Sequence, residues 1–362
     1  GSRYEFSFGV SQITADDGIV YEGFKLDGIS SQKLWIWKFD AAGNKQFEKI
    51  YSEAPAGETK SIRQTPDGGY LLTGKILGEN SYYHLWILKL NADGDSLWSR
   101  TYGIGTYSIG DGICVNTDGS CLIHGQAIVT EDNQVSMLLL KINEDGDSIW
   151  TKKYNNSMSY YCESLIRCDQ GGYTAIAVID STGEAGLYYQ IIRFDEGGDT
   201  LWTKAPSPEY AVYAMNQTAD DGFVLTGMQY NGNDWDLLLY KTDANGDKEW
   251  SKAFGADTWE MGHDVRQTED GGYIIAGTTS AYGTGGGLDA WLIKTDSKGK
   301  KIWWDTYGSG ENNERALQVF VTADNGYYIS GNVNHMFWVA RLATDTIKAI
   351  PTAVESPALA GE

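Results

Sequence analysis

Residues 269–277 read Glu-Asp-Gly-Gly-Tyr-Ile-Ile-Ala-Gly, a tight turn followed by a short β-branched run that ends in glycine. Glycine supplies the positive φ that a hairpin turn needs, and the run that follows is typical of a β-strand. Related patterns occur seven times, with anchors spaced 51, 51, 52, 50, 50 and 54 residues apart. Repeats of this length with strand-like runs predict the blades of a β-propeller. The anchors are Ile19, Tyr70, Cys121, Tyr173, Phe223, Tyr273 and Tyr327.

The sixth repeat predicts four strands, which we name A to D in chain order. They are expected at 263–268, 273–277, 290–295 and 301–307. One blade of this size cannot bury both of its faces and must stack on its neighbours. The sequence therefore predicts an all-β, seven-bladed β-propeller of four-stranded antiparallel blades over residues 3–343. Residues 344–362 are expected to form a C-terminal tail or linker.

The seventh repeat has no obvious strand D. Residues 4–9 resemble residues 250–255, a strand D in the fifth repeat, so we expect this N-terminal strand to complete the last blade and close the ring. Such closure leaves no free sheet edge. The alternative is that residues 345–348, which resemble 199–202, supply the missing strand.

Residues that recur in every blade are predicted to be structural. Each strand C carries a Lys or Arg that can reach a turn carboxylate such as Asp67 or Asp270, and strand D aromatics are expected to pack blade against blade. Turns such as 91–95 resemble calcium loops, but other repeats keep only the first Asp and the Gly, which favours turn geometry over metal. We expect no metal and no cofactor. The strand C residues are Lys38, Lys89, Lys141, Arg193, Lys241, Lys294 and Arg341, and the strand D aromatics are Phe47, Trp98, Trp150, Trp202, Trp250 and Trp303.

Charge and composition exclude some partners. The 362 residues carry a net charge of −21, which disfavours nucleic acid. No apolar run approaches the roughly 20 residues of a membrane span, so no membrane insertion is expected. Cys114 and Cys121 flank a short turn and could face each other across a hairpin, whereas Cys162 and Cys168 would be too far apart on one strand. Free buried thiols are the alternative.

The pattern at 289–296, Asp-Ala-Trp-Leu-Ile-Lys-Thr-Asp, followed by Trp303 and Tyr307-Gly308, resembles the repeats of secreted bacterial and archaeal seven-bladed propellers. These are similar in strand logic to the pyrroloquinoline-quinone-type and WD-type propellers. The resemblance implies the fold and a secreted or cell-surface location. It does not select a function, because such propellers serve in binding, scaffolding and catalysis. Residues 349–357 resemble linkers that precede a C-terminal secretion-sorting domain in some bacteria.

The D–A and B–C loops are expected to share one end of the blades, and they vary in sequence and are rich in aromatics. Rings beside carboxylates suit a sugar, whose C–H faces stack while its hydroxyls seek hydrogen bonds. We therefore expect this loop face to bind a glycan or a similar polar ligand. The candidate residues are Tyr82, Tyr83, His84, Asp111, Tyr160, Tyr161, Glu163, Tyr213, Trp235, Trp259, Glu260, His263, Glu314, Arg315 and His335.

Two other functions are compatible with the same residues. A polysaccharide lyase or glycoside hydrolase would use His263 with Tyr161 or Tyr213, or the carboxylates Glu163 and Glu260. Lys60 and Arg315 are placed to neutralise a uronate, although the negative charge of the chain disfavours polyanions. A protein-interaction or structural surface module, with protein partners, is the third possibility. No residue is assigned to catalysis.

Overall fold

The computed structural model describes residues 11–27, 31–51, 59–79, 81–128, 134–154, 159–180, 187–256, 258–281, 287–308, 312–322, 324–333 and 336–342. These residues form strands, turns and bends, with no helix among them, so none of them belongs to a helix that could cross a membrane. The chain divides into two compact units, Gly1–Pro206 and Ser207–Glu362.

The first unit contains blades 1 to 4, each a four-stranded antiparallel sheet. Blade 1 consists of β1 (Ser11–Ile13), β2 (Ile19–Asp27), β3 (Ser31–Phe39) and β4 (Lys45–Tyr51). Blade 2 consists of β5 (Thr59–Gln64), β6 (Tyr70–Leu77), β7 (Tyr83–Leu90) and β8 (Ser96–Tyr102). Blade 3 consists of β9 (Tyr107–Val115), β10 (Cys121–Ile128), β11 (Val135–Ile142) and β12 (Ser148–Tyr154). Blade 4 consists of β13 (Ser159–Arg167), β14 (Tyr173–Asp180), β15 (Leu187–Phe194) and β16 (Thr200–Lys204).

The second unit contains blades 5 to 7. Blade 5 consists of β17 (Tyr210–Gln217), β18 (Phe223–Tyr230), β19 (Trp235–Thr242) and β20 (Lys248–Phe254). Blade 6 consists of β21 (Glu260–Gln267), β22 (Tyr273–Thr279), β23 (Asp289–Thr295) and β24 (Lys301–Tyr307). The described strands of blade 7 are β25 (Glu314–Val321), β26 (Tyr327–Val333) and β27 (Met336–Leu342).

The predicted fold class is confirmed: the chain is a seven-bladed β-propeller. In every blade the strands pair in chain order, so each sheet is an antiparallel meander whose D–A and B–C connections lie at one end and whose A–B and C–D turns lie at the other. We call these the loop end and the turn end. The N-terminal strand expected to complete blade 7, residues 4–9, and its alternative at 345–348 lie outside the described residues.

The A–B turns of blades 2, 4 and 6 have two successive glycines, and the two positions serve different purposes. Gly271 has a φ of +76°, the left-handed conformation that the turn requires. Gly272 is needed for space, because a Cβ there would lie 2.1 Å from the carbonyl oxygen of Thr295 and 2.7 Å from Lys294 Nζ. In the Gly-Gly pair, the first glycine therefore permits the turn conformation, and the second leaves room for the lysine side chain of strand C.

The basic residue of strand C is structural, as predicted, in the blades with a complete turn motif. The Lys89 ammonium is buried and lies 2.8 Å from Asp67 Oδ2, and it also donates to the Thr65 hydroxyl. Lys294 meets Asp270 at 2.7 Å in the same way. The equivalent pairs elsewhere are Lys38 with Asp16, Lys241 with Asp220 and Arg341 with Asp324.

The strand D aromatics pack blade against blade, also as predicted. In the first unit the Trp98 ring lies against Gly146, in the C–D turn of blade 3, where a Cβ would come within 2.8 Å of the ring. The Tyr102 hydroxyl of the same strand donates to the Gly146 carbonyl. In the second unit Trp250 lies against Gly299 in the same manner. The outer strands of blades 2 and 5 are thereby attached to the turn of the following blade.

The four cysteines are free. Cys114 pairs with Leu122, and Cys121 pairs with Val115, so the two side chains are not opposite each other. The expectation that they face each other across the hairpin was wrong, because strand pairing is shifted by one residue from the symmetry suggested by the turn.

The resemblance of residues 91–95 to a calcium loop is explained by the hydrogen bonds of the turn. Asn91 Oδ1 accepts the backbone N–H groups of Asp93 and Asp95 at 3.0 and 2.7 Å.

Candidate ligand-binding site

Strand A carries a β-bulge in each of blades 2 to 7. The register with strand B shifts at one point, and one residue of strand A is skipped there. Bulges re-aim a side chain and are common beside functional sites. The bulged residue stands ten positions before the first residue of strand B in all six blades. The bulged residues are Lys60, Asp111, Glu163, Tyr213, His263 and Leu317.

The chemistry at the bulge varies, whereas its neighbours are uniform. The residue before the bulge is buried in all six blades. The residue two positions after it is a buried apolar side chain, such as Ile62, Ile113 or Val265. Packing therefore fixes the flanking positions, and the bulge itself holds a cation, two carboxylates, a phenol, an imidazole and an aliphatic group. A position that differs from blade to blade within a repeated frame is where specific chemistry can reside.

In the first unit the bulged residues of blades 2, 3 and 4 are electrostatically coupled. Gln126 Nε2 donates to Asp111 Oδ2 at 2.9 Å. Burial raises the pKa of Asp111 to about 6 although the charges of Lys60 and Lys75 oppose the shift. Glu163 reaches solvent, yet burial of its carboxyl group and then the charge of Asp111 raise its pKa. Burial thus raises the pKa of both carboxyl groups, and the charge of Asp111 adds to the rise at Glu163.

The tyrosines predicted for the site in the first unit differ in burial and in their contacts. Tyr83 makes an edge-on contact with Tyr107 at 6.3 Å, and the Lys75 ammonium lies 4.6 Å from its ring centre. Tyr82 is 52% exposed, and Tyr161 is half-buried. The buried Tyr160 donates its hydroxyl to Gln190 Oε1 at 2.6 Å and so stabilises its own blade.

The imidazole of His84 is half-buried, at the loop end of strand β7. Its Nδ1 has no hydrogen-bond partner in the part of the chain that the structure describes. His84 pairs with Ile76 on β6 and lies in the same blade as Tyr82 and Tyr83.

In the second unit the bulged His263 is the best-defined group. Its Nε2 is 2.9 Å from the Thr278 hydroxyl. Burial and the charge of Arg315 lower the pKa of His263 to about 4, so the imidazole is neutral at physiological pH. Tyr213 occupies the same bulge position in the preceding blade and is half-buried.

Other predicted residues of the second unit have internal contacts. The Glu260 side chain is buried and accepts hydrogen bonds from Thr258 Oγ1 at 2.6 Å, Thr279 Oγ1 at 3.2 Å and the Ala256 N–H at 3.2 Å. Such a carboxylate fastens the D–A loop to the blade. Glu314 is also buried, and its charge adds to burial in raising the pKa of Asp289.

Two tryptophans predicted for the site are half-buried at the loop end. Trp235 packs on Tyr230 with ring centres 5.3 Å apart. The Trp259 backbone N–H donates to the Ser280 hydroxyl at 3.1 Å, which holds the D–A loop against the B–C loop of the same blade. His335 lies outside the described residues.

A cavity of about 450 Å³ lies at the turn end of blades 2 and 3, away from the bulged residues. We call it the turn-end cleft. Several of its lining residues, among them Thr65, Asp67 and Lys89, belong to the repeated turn motif. Sequence reasoning expected the turns to be uniform and did not anticipate a cavity there.

The comparisons with known proteins identify the fold class but no family. No protein-family model matches the chain, and no curated protein matches it. The propeller domain of the Trilobed protease from Pyrococcus furiosus is 11% identical over 100% of both chains, with a TM-score of 0.58. Puromycin hydrolase is 12% identical with a TM-score of 0.64, over 94% of this chain and 52% of its own length. YCF48 bound to a peptide is 12% identical over 95% of this chain and 93% of its own, with a TM-score of 0.53.

These solved structures are too different in sequence to show more than the fold. This chain spans about half the length of puromycin hydrolase, so it corresponds to only part of that enzyme. The propeller alone does not determine a function. The functional conclusion must therefore come from the residues at the bulge.

Proposed function

We propose that this propeller is a binding module that recognises a glycan or a similar polar ligand at the loop end of its blades. The observation that carries the proposal is the bulge position, whose side chain varies in chemistry among blades 2 to 7 while its neighbours repeat. Asp111 and Glu163 offer carboxylate acceptors to hydroxyl groups, Lys60 offers a donor, and the half-buried Tyr161 offers a ring for stacking. In the second unit Tyr213, His263 and Arg315 offer a separate set of polar contacts.

A glycan array followed by calorimetry tests this proposal. Asp111→Asn and Glu163→Gln should each weaken binding by about tenfold, because a hydrogen bond to a charged group is lost. Tyr161→Ala and Trp259→Ala test the stacking contacts in the two units separately. Asp93→Asn removes one charge from an exposed turn and should bind as the parent protein does. Absence of binding on every array, or equal binding by all the variants, would reject the proposal.

Protein or peptide recognition is the second candidate. YCF48, a propeller of similar fold, is known in complex with a peptide. The mixture of Lys60, Asp111 and Glu163 on neighbouring strands also suits the alternating donors and acceptors of an extended chain. A displayed peptide library screened with the parent protein and with Glu163→Gln distinguishes this candidate, since enrichment should depend on the Glu163 charge.

Catalysis on a glycan is the third candidate, and the coupled carboxylates support it. Two acids whose environments shift their pKa values are the usual components of glycoside hydrolysis. Asp111 is a better partner for Glu163 than the internally bonded Glu260. The test is the release of reducing ends from any glycan found to bind. Loss of this release in Glu163→Gln without loss of binding would favour this function.

A secreted or cell-surface location is likewise a proposal, and fractionation of the source organism tests it.

A further inference from the structure

Asp289 is a buried carboxyl group at the loop end of blade 6. It is the first residue of β23 and pairs with the neutral Thr279 of β22. The residue is only 2% exposed, and its Oδ2 atom has no hydrogen-bond partner in the described part of the chain. The end of strand D covers it, because a Cβ on Gly308 would lie 1.6 Å from Asp289 Oδ1. A buried carboxylate without a donor is costly, and such a group normally keeps its proton instead.

Blade 7 brings a second buried carboxyl group to the same junction. Glu314 is the first residue of β25 and is also buried. Its backbone N–H donates to the Leu288 carbonyl at 2.7 Å, and the Leu288 N–H donates to Asn313 Oδ1 at 3.0 Å. These bonds hold the start of β23 against the start of β25. The charge of Glu314 adds to burial in raising the pKa of Asp289, so the two carboxyl groups act on each other across the junction.

The junction between blades 5 and 6 contains an equivalent pair. Asp236 and Asp289 each stand five positions before the lysine of strand C, and Glu260 and Glu314 each begin strand A of the next blade. Asp236 Oδ1 and Glu260 Oε2 both lie within 2.6 Å of the position that a Cβ on Gly255 would take. The two carboxyl groups of that pair are therefore immediate neighbours.

The two junctions differ in their hydrogen-bond donors. Asn231 Nδ2 donates to Asp236 Oδ2 at 3.1 Å, and the Ala256 N–H donates to Glu260 Oε2 at 3.2 Å. Protein donors thus serve both carboxyl groups between blades 5 and 6. Asp289 Oδ2 has no such donor among the described residues, and a proton would satisfy it.

The other titratable groups on the strands around Asp289 are engaged elsewhere or are neutral. Glu260 on β21 takes its hydrogen bonds from its own blade. Burial raises the pKa of Tyr307 on β24, so this phenol is neutral at physiological pH. On β25 the charge of Arg315 acts on His263, whose pKa it helps to lower. Glu314 is therefore the group whose charge bears on the proton of Asp289.

We propose that the Asp289 carboxyl group keeps its proton and donates it in a hydrogen bond to the Glu314 carboxylate, which makes a pH-sensitive latch between blades 6 and 7. As the pH rises, the proton passes to solvent and leaves two like charges in a buried junction, so the latch opens. Because the folded pKa of Asp289 is above the ordinary value of 3.8, the stability that the latch supplies is lost as the pH rises. The latch does not depend on the proposed function.

Amide hydrogen exchange of the whole protein tests the latch through the Glu314 N–H, which donates across the junction to Leu288. Its protection factor, which corrects for the intrinsic effect of pH on exchange, should fall about tenfold between pH 5 and pH 8. The Thr268 N–H donates to the Gly272 carbonyl at the turn end of blade 6 and should keep its protection. A constant protection factor at Glu314, or an equal fall at Thr268, would overturn the proposal.

Two matched variants assign the effect to the latch. Asparagine is neutral and keeps a donor, so Asp289→Asn should hold the Glu314 protection factor constant over this pH range. Asp236→Asn changes the equivalent residue of blade 5 and should leave the fall of about tenfold in place. The proposal would be rejected by an undiminished fall in Asp289→Asn or by its disappearance in Asp236→Asn. In the parent protein the carboxyl carbon resonance of Asp289 should titrate above the range of an exposed aspartate, and titration within that range would also reject it.

Discussion

Asp111 and Glu163 occupy the same bulge position on the neighbouring strands β9 and β13, and the charge of Asp111 adds to burial in raising the pKa of Glu163. Two like charges near each other, where burial also disfavours the ionised forms, destabilise the folded state. Packing gives no reason for this arrangement, since the bulged position accepts Tyr213, His263 and Leu317 in other blades. Perturbed carboxylates of this kind are more common at functional sites than elsewhere.

The cost of ionising Asp111 predicts a stability gain on its removal. Its folded pKa of about 6 is above the ordinary value of 3.8, so the folded state is penalised progressively as the pH rises from 3.8 through 6. Asp111→Asn should raise the free energy of unfolding by about 1–2 kcal/mol at pH 7.5, with allowance for partial exposure. The difference should disappear near pH 4, where Asp111 is largely protonated in the folded state. Guanidinium unfolding at the two pH values measures this, and a constant difference would contradict the assignment.

Gly69, the second glycine of the A–B turn in blade 2, should not accept a side chain without loss of stability. A Cβ at Gly69 would lie 2.2 Å from the Leu90 carbonyl oxygen, within fixed backbone. Gly69→Ala should therefore lower the free energy of unfolding by about 2–3 kcal/mol through overpacking. Gly103→Ala is the matched control, because a Cβ there meets no atom within 4 Å. Equal stability of the two variants in a thermal melt would refute the steric explanation.

The lysine–aspartate pairs predict a loss of stability in acid. Burial alone would raise the pKa of Asp16, but hydrogen bonds from Lys38 and Thr14 outweigh burial and lower the pKa to about 2. Asp270 is lowered to about 2 in the same way, with Lys294 as the main donor. Because a lowered folded pKa stabilises the protein above pH 3.8, this contribution is lost as the pH falls from about 4 to about 2.

Each of these pairs should contribute about 1 kcal/mol, because the aspartates are more than half exposed. Asp270→Asn should accordingly be less stable than the parent protein at pH 5 and about equally stable at pH 2. Denaturant unfolding at both values measures the change, and an unchanged difference would contradict it.

Glu260 should act in folding rather than in ligand binding. Its carboxylate accepts three hydrogen bonds inside blade 6, from Thr258, Thr279 and the Ala256 N–H. Glu260→Ala should lower the free energy of unfolding by about 2–3 kcal/mol, since these buried donors lose their acceptor. Glu209→Gln, on an exposed surface, should leave stability unchanged. A loss of ligand binding at full stability would instead place Glu260 in the site.

The thiols should be unreactive while the protein is folded. Burial raises the pKa of Cys114 to about 11 and that of Cys121 to about 12, and it also raises the pKa values of Cys162 and Cys168. Thiolates attack a disulfide reagent, so at pH 8 the folded protein should react slowly until guanidinium is added, and the reagent should then report four thiols. Rapid reaction of the native protein would contradict the buried placement.

The fold could be predicted from the sequence because every blade repeats the same turn chemistry. The expected strand A at 263–268 begins earlier in the structure, at Glu260, because His263 is bulged and pairing resumes on its far side. The structural role of Lys89 could also be predicted, since turn and lysine recur together.

The site was only partly predictable. Asp111, Glu163, Tyr213 and His263 were recognised as candidates by their residue types, but their common bulge position was not, because a bulge does not alter hydrophobic spacing visibly. Aligning the repeats ten residues before strand B would have revealed it and would have added Leu317. The inward orientation of Glu260 and Tyr160 depends on three-dimensional packing, and residue type alone gave no sign of it.

We propose that the bulge also separates ligand recognition from folding. Because the bulged residue is skipped in the pairing register, its replacement leaves the register and the buried neighbours of strand A in place. A duplicated blade can therefore acquire a new specificity through one codon. Randomising these six codons would give a library of proteins that share one scaffold and differ chiefly in ligand specificity.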